Sequence, residues 1–519
     1  MNGNYTIVDN VIYMPNFEHQ PDPRGIGWVF YENMLRNKDR LAQVDGVTGE
    51  EDTFGSLLQR CVRAAVGLQS AGIQYGDVVS VCTYNHLNSC VPHISSMFIG
   101  AKIAAFDPTL SLSDAIHLFK IVMPKLIFVD EESVTLIENV IREVKCQTTI
   151  VVFGPSEKHI SFLHFGKSIV ELDSGTSGLP KGICHTHYSL LRANPTEMKV
   201  GALASLMFGS DSPYWNVFLV FLTYSILNGT GRVLYPKFDK NDPWKIFSRK
   251  ITMACLNITE LMMLHHAPRP KSIDTSALQL VVTGGSPISV TQILKVRTMF
   301  SNATVRISYG QSEVFPIVLC FNIRDSKQIE FLKTKTNSCG MPLTGISYKI
   351  VNLESGKALG PNQKGELRVK TEMQLHGYYN MDSSGIWDDD CWLKTGDYGY
   401  YDEDCCFYII DRIKEMFKYQ DWHIIPATLE GILVTHPAVL IAVVVGVPHE
   451  VDMYRPMAVV QLKNGASASE EEIQNYLDDK VEDRQRLRGG VKFVNTFPLT
   501  PSGKVNRFVL KQMVLQETI

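Results

Sequence analysis

The sequence predicts an α/β fold with a large N-terminal part and a small C-terminal part. Two observations predict it. Short apolar runs of strand length alternate with amphipathic helical patterns through the first third of the chain, and that alternation implies parallel sheets with helices on their faces. The chain also has 519 residues, more than one hydrophobic core serves, so two or more domains are expected. Hydrophobic residues make up 45% and charged residues 20%, an ordinary globular balance. A formal net charge of −4 gives no reason to expect nucleic acid or an anionic membrane as a partner.

Each element follows from its pattern. Over 56–71, Leu57, Cys61, Ala64, Ala65 and Leu68 recur at helical spacing, and Gly72 is a stop signal. Residues 78–82 then form a buried strand. Residues 125–129 (KLIFV) and 149–153 (TIVVF) are strands, with a helical pattern over 134–144 between them. The run 217–227 (VFLVFLTYSIL) is too short to span a bilayer and stops at Asn228-Gly229, so it reads as a buried helix. Near the C-terminus, 440–447 (LIAVVVGV) is a strand, and the charged stretch 470–488 is helical. The 11 cysteines include no CxxC pair and no zinc-like spacing, and they are odd in number. They read as reduced thiols of an intracellular protein, and the adjacent Cys405 and Cys406 as a loop accident.

Residues 174–182 (SGTSGLPKG) are the most informative stretch. Gly175 and Gly178 let the backbone approach a polyanion. Ser174, Thr176 and Ser177 donate hydroxyls, and Lys181 adds a positive charge, so the loop suits phosphate. It is not a Walker A loop, because the glycines are too close and Gly182 follows the lysine. It follows the short apolar run 168–172, which suits a loop at the carboxyl end of a strand. Gly284, Gly285, Ser286 and Pro287 follow the apolar run 278–282, and two glycines there permit close contact with a flat ligand. In the run 308–313, Ser308 opens the motif and Tyr309 offers a stacking face. Gly310 clears space, Ser312 can donate to a phosphate or a carboxylate, and Glu313 can hold Mg²⁺. Asp397, in Thr395-Gly396-Asp397, can accept two hydrogen bonds from a ribose diol. Lys504, in a Pro/Gly loop at 501–504, is a mobile cation that can bridge a carboxylate and an α-phosphate.

Taken together, these motifs resemble the adenylate-forming superfamily, which includes acyl-CoA synthetases, coumarate–CoA ligases and firefly luciferase. The resemblance runs over roughly the whole chain, in family order and at nearly family spacing. It implies an N-terminal adenylation domain over 1–413, with a distorted β-barrel-like part beside its sheets, and a mobile C-terminal lid over 414–519. It implies ATP, Mg²⁺ and coenzyme A as the small molecules used, with a carboxylic acid, of fatty or phenylpropanoid type, as substrate. Gly284 to Pro287 would border the adenine. Arg412 would join Asp397 at the ribose, and Lys414 would be the hinge. Lys504 would serve adenylation, Lys418 the second half-reaction, and Thr176 with Glu313 the metal. The activity implied is an acid–thiol ligase that forms an acyl-adenylate, releases pyrophosphate and passes the acyl group to coenzyme A.

Several positions depart from the family pattern. Trp215 and Asn216 stand where relatives carry His-His or an aromatic residue in the acyl-pocket segment, and Leu219 replaces a glycine. This disfavours light emission and points to a small or narrow acid. Asp421 replaces a glycine beside the expected pantetheine path. Glu171 and Asp173 put negative charge beside the phosphate loop, where it repels a triphosphate. The chain is short before that loop and near 382–390. The alternative is therefore a catalytically impaired homologue that binds nucleotide or an acyl ligand; a ligase-derived oxygenase or an enzyme feeding a carrier-protein thiol is a third reading. The polar start MNGNYTIVDN and an end without Ser-Lys-Leu favour the cytoplasm, while the resemblance also admits a peroxisomal home.

Overall fold

A computed structural model describes residues 5–18, 20–165, 183–192, 204–209, 212–286, 288–420, 422–500 and 505–516. Four sheets organise them. The largest has nine strands. Its central members, Thr304–Gln311, Leu280–Gly284, Met253–Cys255, Leu206–Gly209, Gly231–Leu234 and Leu41–Asp45, pair in parallel. Antiparallel strands close both ends: Val314–Cys320 with Met341–Pro342 on one side, Glu51–Thr53 on the other. A second sheet of five strands is parallel throughout, in the order Lys102–Phe106, Val78–Cys82, Leu126–Val129, Thr149–Val152, Ile160–Ser161. The alternation seen in the sequence therefore builds the five-stranded parallel sheet, whose strands share one apolar core with the helices packed on it.

The individual elements show why. The helix Phe54–Ser70 is capped by Thr53, whose hydroxyl accepts the Ser56 N–H, and Gly72 follows with a φ of 80°. The strands Val78–Cys82 and Leu126–Val129 are buried at every residue, as expected of strands covered on both faces. The helix Val134–Val144 matches its pattern end to end. The helix Asn216–Asn228 is apolar nearly all round and buried, and it ends at Gly229 in the left-handed conformation. No helix of the described residues is long and apolar enough to cross a membrane.

A seven-stranded antiparallel sheet stands where the barrel-like part was expected. It includes Ile346–Val351, Gly365–Thr371, Leu393–Tyr401 and Phe407–Arg412. Its last strand runs into the small C-terminal domain, a five-stranded sheet built on the long hairpin Val439–His449 and Met453–Leu462. The helix that starts at Glu470 covers only Glu470–Asp478, ten residues fewer at its C-terminal end than the charge pattern over 470–488 suggests. Two acidic residues, Asp478 and Asp479, close it, and negative charge is unfavourable at a helix C-terminus. The Asp478 carboxylate then accepts the Leu487 N–H at 3.0 Å, and Leu487 is fully buried, which draws the following chain back onto the core.

All 11 cysteines are free thiols. Cys405 and Cys406 lie in the turn joining Leu393–Tyr401 to Phe407–Arg412. Both are buried, and Asp402 Oδ1 accepts the Cys406 N–H.

Candidate active site

The carboxyl edge of the nine-stranded sheet gathers several of the residues singled out in the sequence, as parallel sheets dictate for ligand sites. The strand Leu280–Gly284 pairs in parallel with Thr304–Gln311, and Gly284 lies opposite Ser308. A Cβ on Gly284 would come within 2.2 Å of the Ser308 carbonyl oxygen. Its lack of a side chain is thus required by the neighbouring strand, a constraint separate from the ligand contact expected of it. Gly285 has a φ of 77°, which glycine adopts without strain. Ser286 is half-buried. Ser308 Oγ is shielded from solvent and makes no hydrogen bond among the described residues.

The strand Thr304–Gln311 turns back into Val314–Cys320 through the two-residue tip Ser312-Glu313, with Gln311 paired to Val314. Before the tip, the Tyr309 hydroxyl donates to Asp397 Oδ2 at 2.6 Å, and Gln311 Nε2 donates to the same hydroxyl at 3.2 Å. Arg412 Nε contacts Asp397 Oδ1 at 2.9 Å. Asp397 and Arg412 face each other in the register of their two strands. Burial pushes the Asp397 carboxyl up, while Arg412 and the Tyr309 hydroxyl pull it back. Burial and the Asp397 charge push the Tyr309 phenol well up, so it remains a proton donor. A carboxylate has about four acceptor sites, so Asp397 keeps capacity for a further donor such as a sugar hydroxyl.

A clamp surrounds the Ser312-Glu313 tip. His185 Nε2 donates to the Ser312 carbonyl at 2.6 Å. Burial pushes this histidine down to about 4, which keeps it neutral, and the carbonyl partner fixes its proton on Nε2. The Tyr378 hydroxyl donates to Glu313 Oε1 at 3.0 Å, and the Leu375 N–H donates to the Glu313 carbonyl at 2.8 Å. Ile183 pairs with Tyr378 across an antiparallel bridge. Ile183 immediately follows the glycine-rich segment, so the exit of that segment is tied to the carboxylate of Glu313. Neither His185 nor Tyr378 was singled out from sequence. The available signal was local: His185 opens His185-Thr186-His187 just after the loop, and Tyr378 follows Gly377.

No group of three or more metal-ligating side chains occurs among the described residues. One carboxylate at a hairpin tip nonetheless fits Mg²⁺, which keeps several waters and takes one or two carboxylates plus phosphate oxygens. Lys414 sits in the short 3-10 helix Ile413–Glu415, and its charge bears on Asp397. Lys418 is exposed in the strand Phe417–Tyr419, opposite His423. Trp215 and Asn216 open the helix Asn216–Asn228, with the Trp215 ring 5.4 Å from Tyr214. No hydrogen bond or ring contact among the described residues joins them to the Tyr309, Asp397 and Arg412 cluster. Ser174, Gly175, Thr176, Ser177, Gly178 and Lys181 lie outside the described residues, as do Pro287, Lys504, Glu171, Asp173 and Asp421.

Comparison with known proteins shows the family. Residues 30–379 match the AMP-binding enzyme family, and residues 428–504 match the AMP-binding enzyme C-terminal domain. The luciferin 4-monooxygenase of Photuris pensylvanica is 28% identical over 97% of this chain and 98% of its own length. The 4-coumarate–CoA ligase 3 of Arabidopsis thaliana is 29% identical over 93% of this chain and 90% of its own. Among solved structures, the luciferase-like enzyme from the nonluminescent Zophobas morio mealworm is 35% identical, covers 80% of this chain and 100% of its own, and superposes with a TM-score of 0.71. The chain belongs to the AMP-binding family of adenylate-forming enzymes, related to luciferases and 4-coumarate–CoA ligases.

Proposed function

We propose that this adenylate-forming enzyme is an ATP-dependent acid–CoA ligase, with its domain boundary at 413/414. The observation that carries this reading is the meeting of buried Tyr309 and Asp397 with the partly exposed Arg412, beside the clamped Glu313 tip. Such a cluster suits a nucleoside on one side and phosphates on the other. The acid's carboxylate oxygen attacks the α-phosphorus of ATP, the bond to the β-phosphate oxygen breaks, and pyrophosphate leaves. The thiol of coenzyme A, having lost its proton to solvent, then attacks the acyl carbon as a thiolate, AMP leaves with its bonding pair, and a thioester forms. Catalysis in phosphoryl chemistry is mainly positioning and charge stabilisation.

In this reading Tyr309 and Gly284 to Pro287 border the adenine, and Asp397 with Arg412 holds the ribose. Ser174 to Lys181 cradle the phosphates. Glu313 and Thr176 would hold Mg²⁺, which supplies charge neutralisation at the phosphates. Lys504 neutralises charge where the carboxylate and the α-phosphate meet. The lid turns about Lys414 so that the face bearing Lys418 serves the thiol step.

The test is pyrophosphate release by the full chain with Mg·ATP and a panel of short, long and aromatic acids, with and without coenzyme A. Release stimulated by coenzyme A is expected. Lys504→Ala should slow adenylation by about 10²–10³, the loss typical of one charge-stabilising donor. Folded protein that binds nucleotide yet releases no pyrophosphate with any acid would replace the ligase by the impaired homologue. Release without a coenzyme A effect would replace the acceptor.

A further inference from the structure

Gln311 Nε2 donates to the Tyr309 hydroxyl at 3.2 Å, and that hydroxyl lies 2.6 Å from Asp397 Oδ2. Proton count fixes the direction of both bonds. A phenol carries one hydroxyl proton and a carboxylate carries none, so the short bond to Asp397 uses the proton of the tyrosine. The atom that Gln311 presents to the same oxygen must bring its own hydrogen, which only the amide nitrogen does. Gln311, Tyr309 and Asp397 thus form a chain of donors that runs one way. Its far end meets Arg412, whose Nε contacts the other oxygen, Asp397 Oδ1, at 2.9 Å. Tyr309 and Asp397 are buried, so water competes little for the bond between them, whereas Gln311 is half-buried.

The backbone explains why these side chains meet. Tyr309 and Gln311 are two apart on one strand, so both leave the same face. The ladder to Val314–Cys320 is irregular between them, and such interruptions re-aim side chains. Gln311 also ends its strand, next to the Ser312-Glu313 tip, so the donor is anchored on the hairpin that carries Glu313. A hydroxyl proton turns to suit its neighbours. With an amide N–H on one side of the Tyr309 oxygen, the Asp397 side is the one left for the proton. An oxygen that accepts a hydrogen bond also donates a stronger one. Each Asp397 oxygen then receives one fixed donor and keeps a lone pair for another. Two acceptors held in the plane of one carboxylate match a cis-diol.

We infer that Gln311 is a positioning residue: its donation to Tyr309 sends the phenolic proton to Asp397 and aims the open carboxylate lone pairs at a ribose cis-diol, so that ribonucleotides are selected over deoxyribonucleotides. This rests on the placement of the ribose at Asp397 and Arg412 in the reading above. The task needs a donor. Gln311→Glu keeps the shape and removes the donor, and the new carboxylate competes with Asp397 for the tyrosine proton.

The experiment measures binding of ATP and of its 2′,3′-dideoxy analogue to the full chain by calorimetry, with Mg²⁺ and no acid. Wild-type protein should bind ATP at least about 10-fold tighter, as expected for hydrogen bonds to a charged group. Gln311→Leu should reduce that ratio by about 3-fold or more, the effect of one neutral hydrogen bond, and Gln311→Glu should reduce it further. A packing defect weakens both nucleotides alike and leaves the ratio unchanged. Tyr309→Phe removes the middle of the chain and should lower the ratio at least as far as Gln311→Leu does. A folded Gln311→Glu protein with the wild-type ratio overturns the inference, because shape and not donation would then be what counts. Tyr309→Phe with the wild-type ratio overturns it without any variant of Gln311. Equal binding of the two nucleotides by wild-type protein does so too, by taking the ribose away from Asp397. Pyrophosphate release with the acid panel keeps the ligase reading apart. A ratio that depends on Gln311, in protein that releases none, would sink that reading and leave the role of Gln311 standing. Release stimulated by coenzyme A, with a ratio indifferent to Gln311, would do the reverse.

Discussion

Tyr309 gives its hydroxyl proton to Asp397 across 88 residues of chain, and both partners are buried. Tyr309→Phe leaves the carboxylate with one donor fewer. The expected cost is about 1–3 kcal/mol, read as a lowered denaturation midpoint together with a raised KM for ATP. A variant with lowered stability and an unchanged KM would confine the tyrosine to a structural role. The pairing itself was not legible in the sequence. The resemblance already implied Arg412 beside Asp397, but the bond from Tyr309 depends on which strands become neighbours. His185 and Tyr378 were missed for the same reason. A single histidine or tyrosine carries no local sign that its side chain will reach the turn at Ser312-Glu313. Gly284 shows the converse: its place at the strand end was legible, but not its collision with Ser308. Gly284→Ala should cost about 1–3 kcal/mol from crowding alone, measurable by denaturant midpoint without any ligand present.

Among the elements, a strand buried on both faces and a strongly amphipathic helix were the most legible. The strand Val78–Cys82 and the helix Val134–Val144 have the bounds their patterns predict, because burial and periodicity agree there. The stretch 470–488 misled because charge pattern alone does not say where a helix must stop for Leu487 to reach the core. At the junction of the domains, Asp411 Oδ2 accepts the Ala427 N–H at 2.9 Å, at the start of the helix Pro426–Leu433. Burial raises Asp411 to about 6, against the pull of that N–H and of Arg507, with Glu430 adding repulsion. The raised value means that the native state holds this proton more tightly than the unfolded chain. The associated stability is complete below about pH 4 and is lost as pH rises through 6. Asp411→Asn removes the titration and keeps an acceptor. Above pH 7 the variant should be more stable than wild type by up to about 3 kcal/mol, and the difference should vanish near pH 4. A constant difference across that range would show that Asp411 does not titrate in this window.

For the whole molecule, two buried histidines set the acid limit. His93 is pushed down to about 3 and His185 to about 4, both chiefly by burial. Each is neutral when folded and gains a proton when unfolded, so its contribution is present above about pH 6.5 and drains away as pH falls toward the folded value. Together they oppose the Asp411 effect and outweigh it, at about 3–5 kcal/mol each over the range. Stability should therefore fall steeply between pH 6.5 and 4. His185→Gln, which keeps a donor for the Ser312 carbonyl, should flatten part of that fall, as read from denaturation midpoints across pH. An equally steep fall in the variant would assign the acid sensitivity elsewhere.

The Asp411 bond to the Ala427 N–H also acts as a detent. A strand of the body ends in the carboxylate that finishes the first turn of a lid helix, so this orientation of the lid is the one in which that helix is properly capped. The Arg507 guanidinium, bonded to Glu430 at 2.7 Å, adds its charge to the same corner. In the proposed reading, a lid that turned about Lys414 would pull the helix end off its cap and regain it only on return. The two halves of the proposed cycle would then be unequal: one position would rest in a notch, and the other would be held by whatever the enzyme has bound.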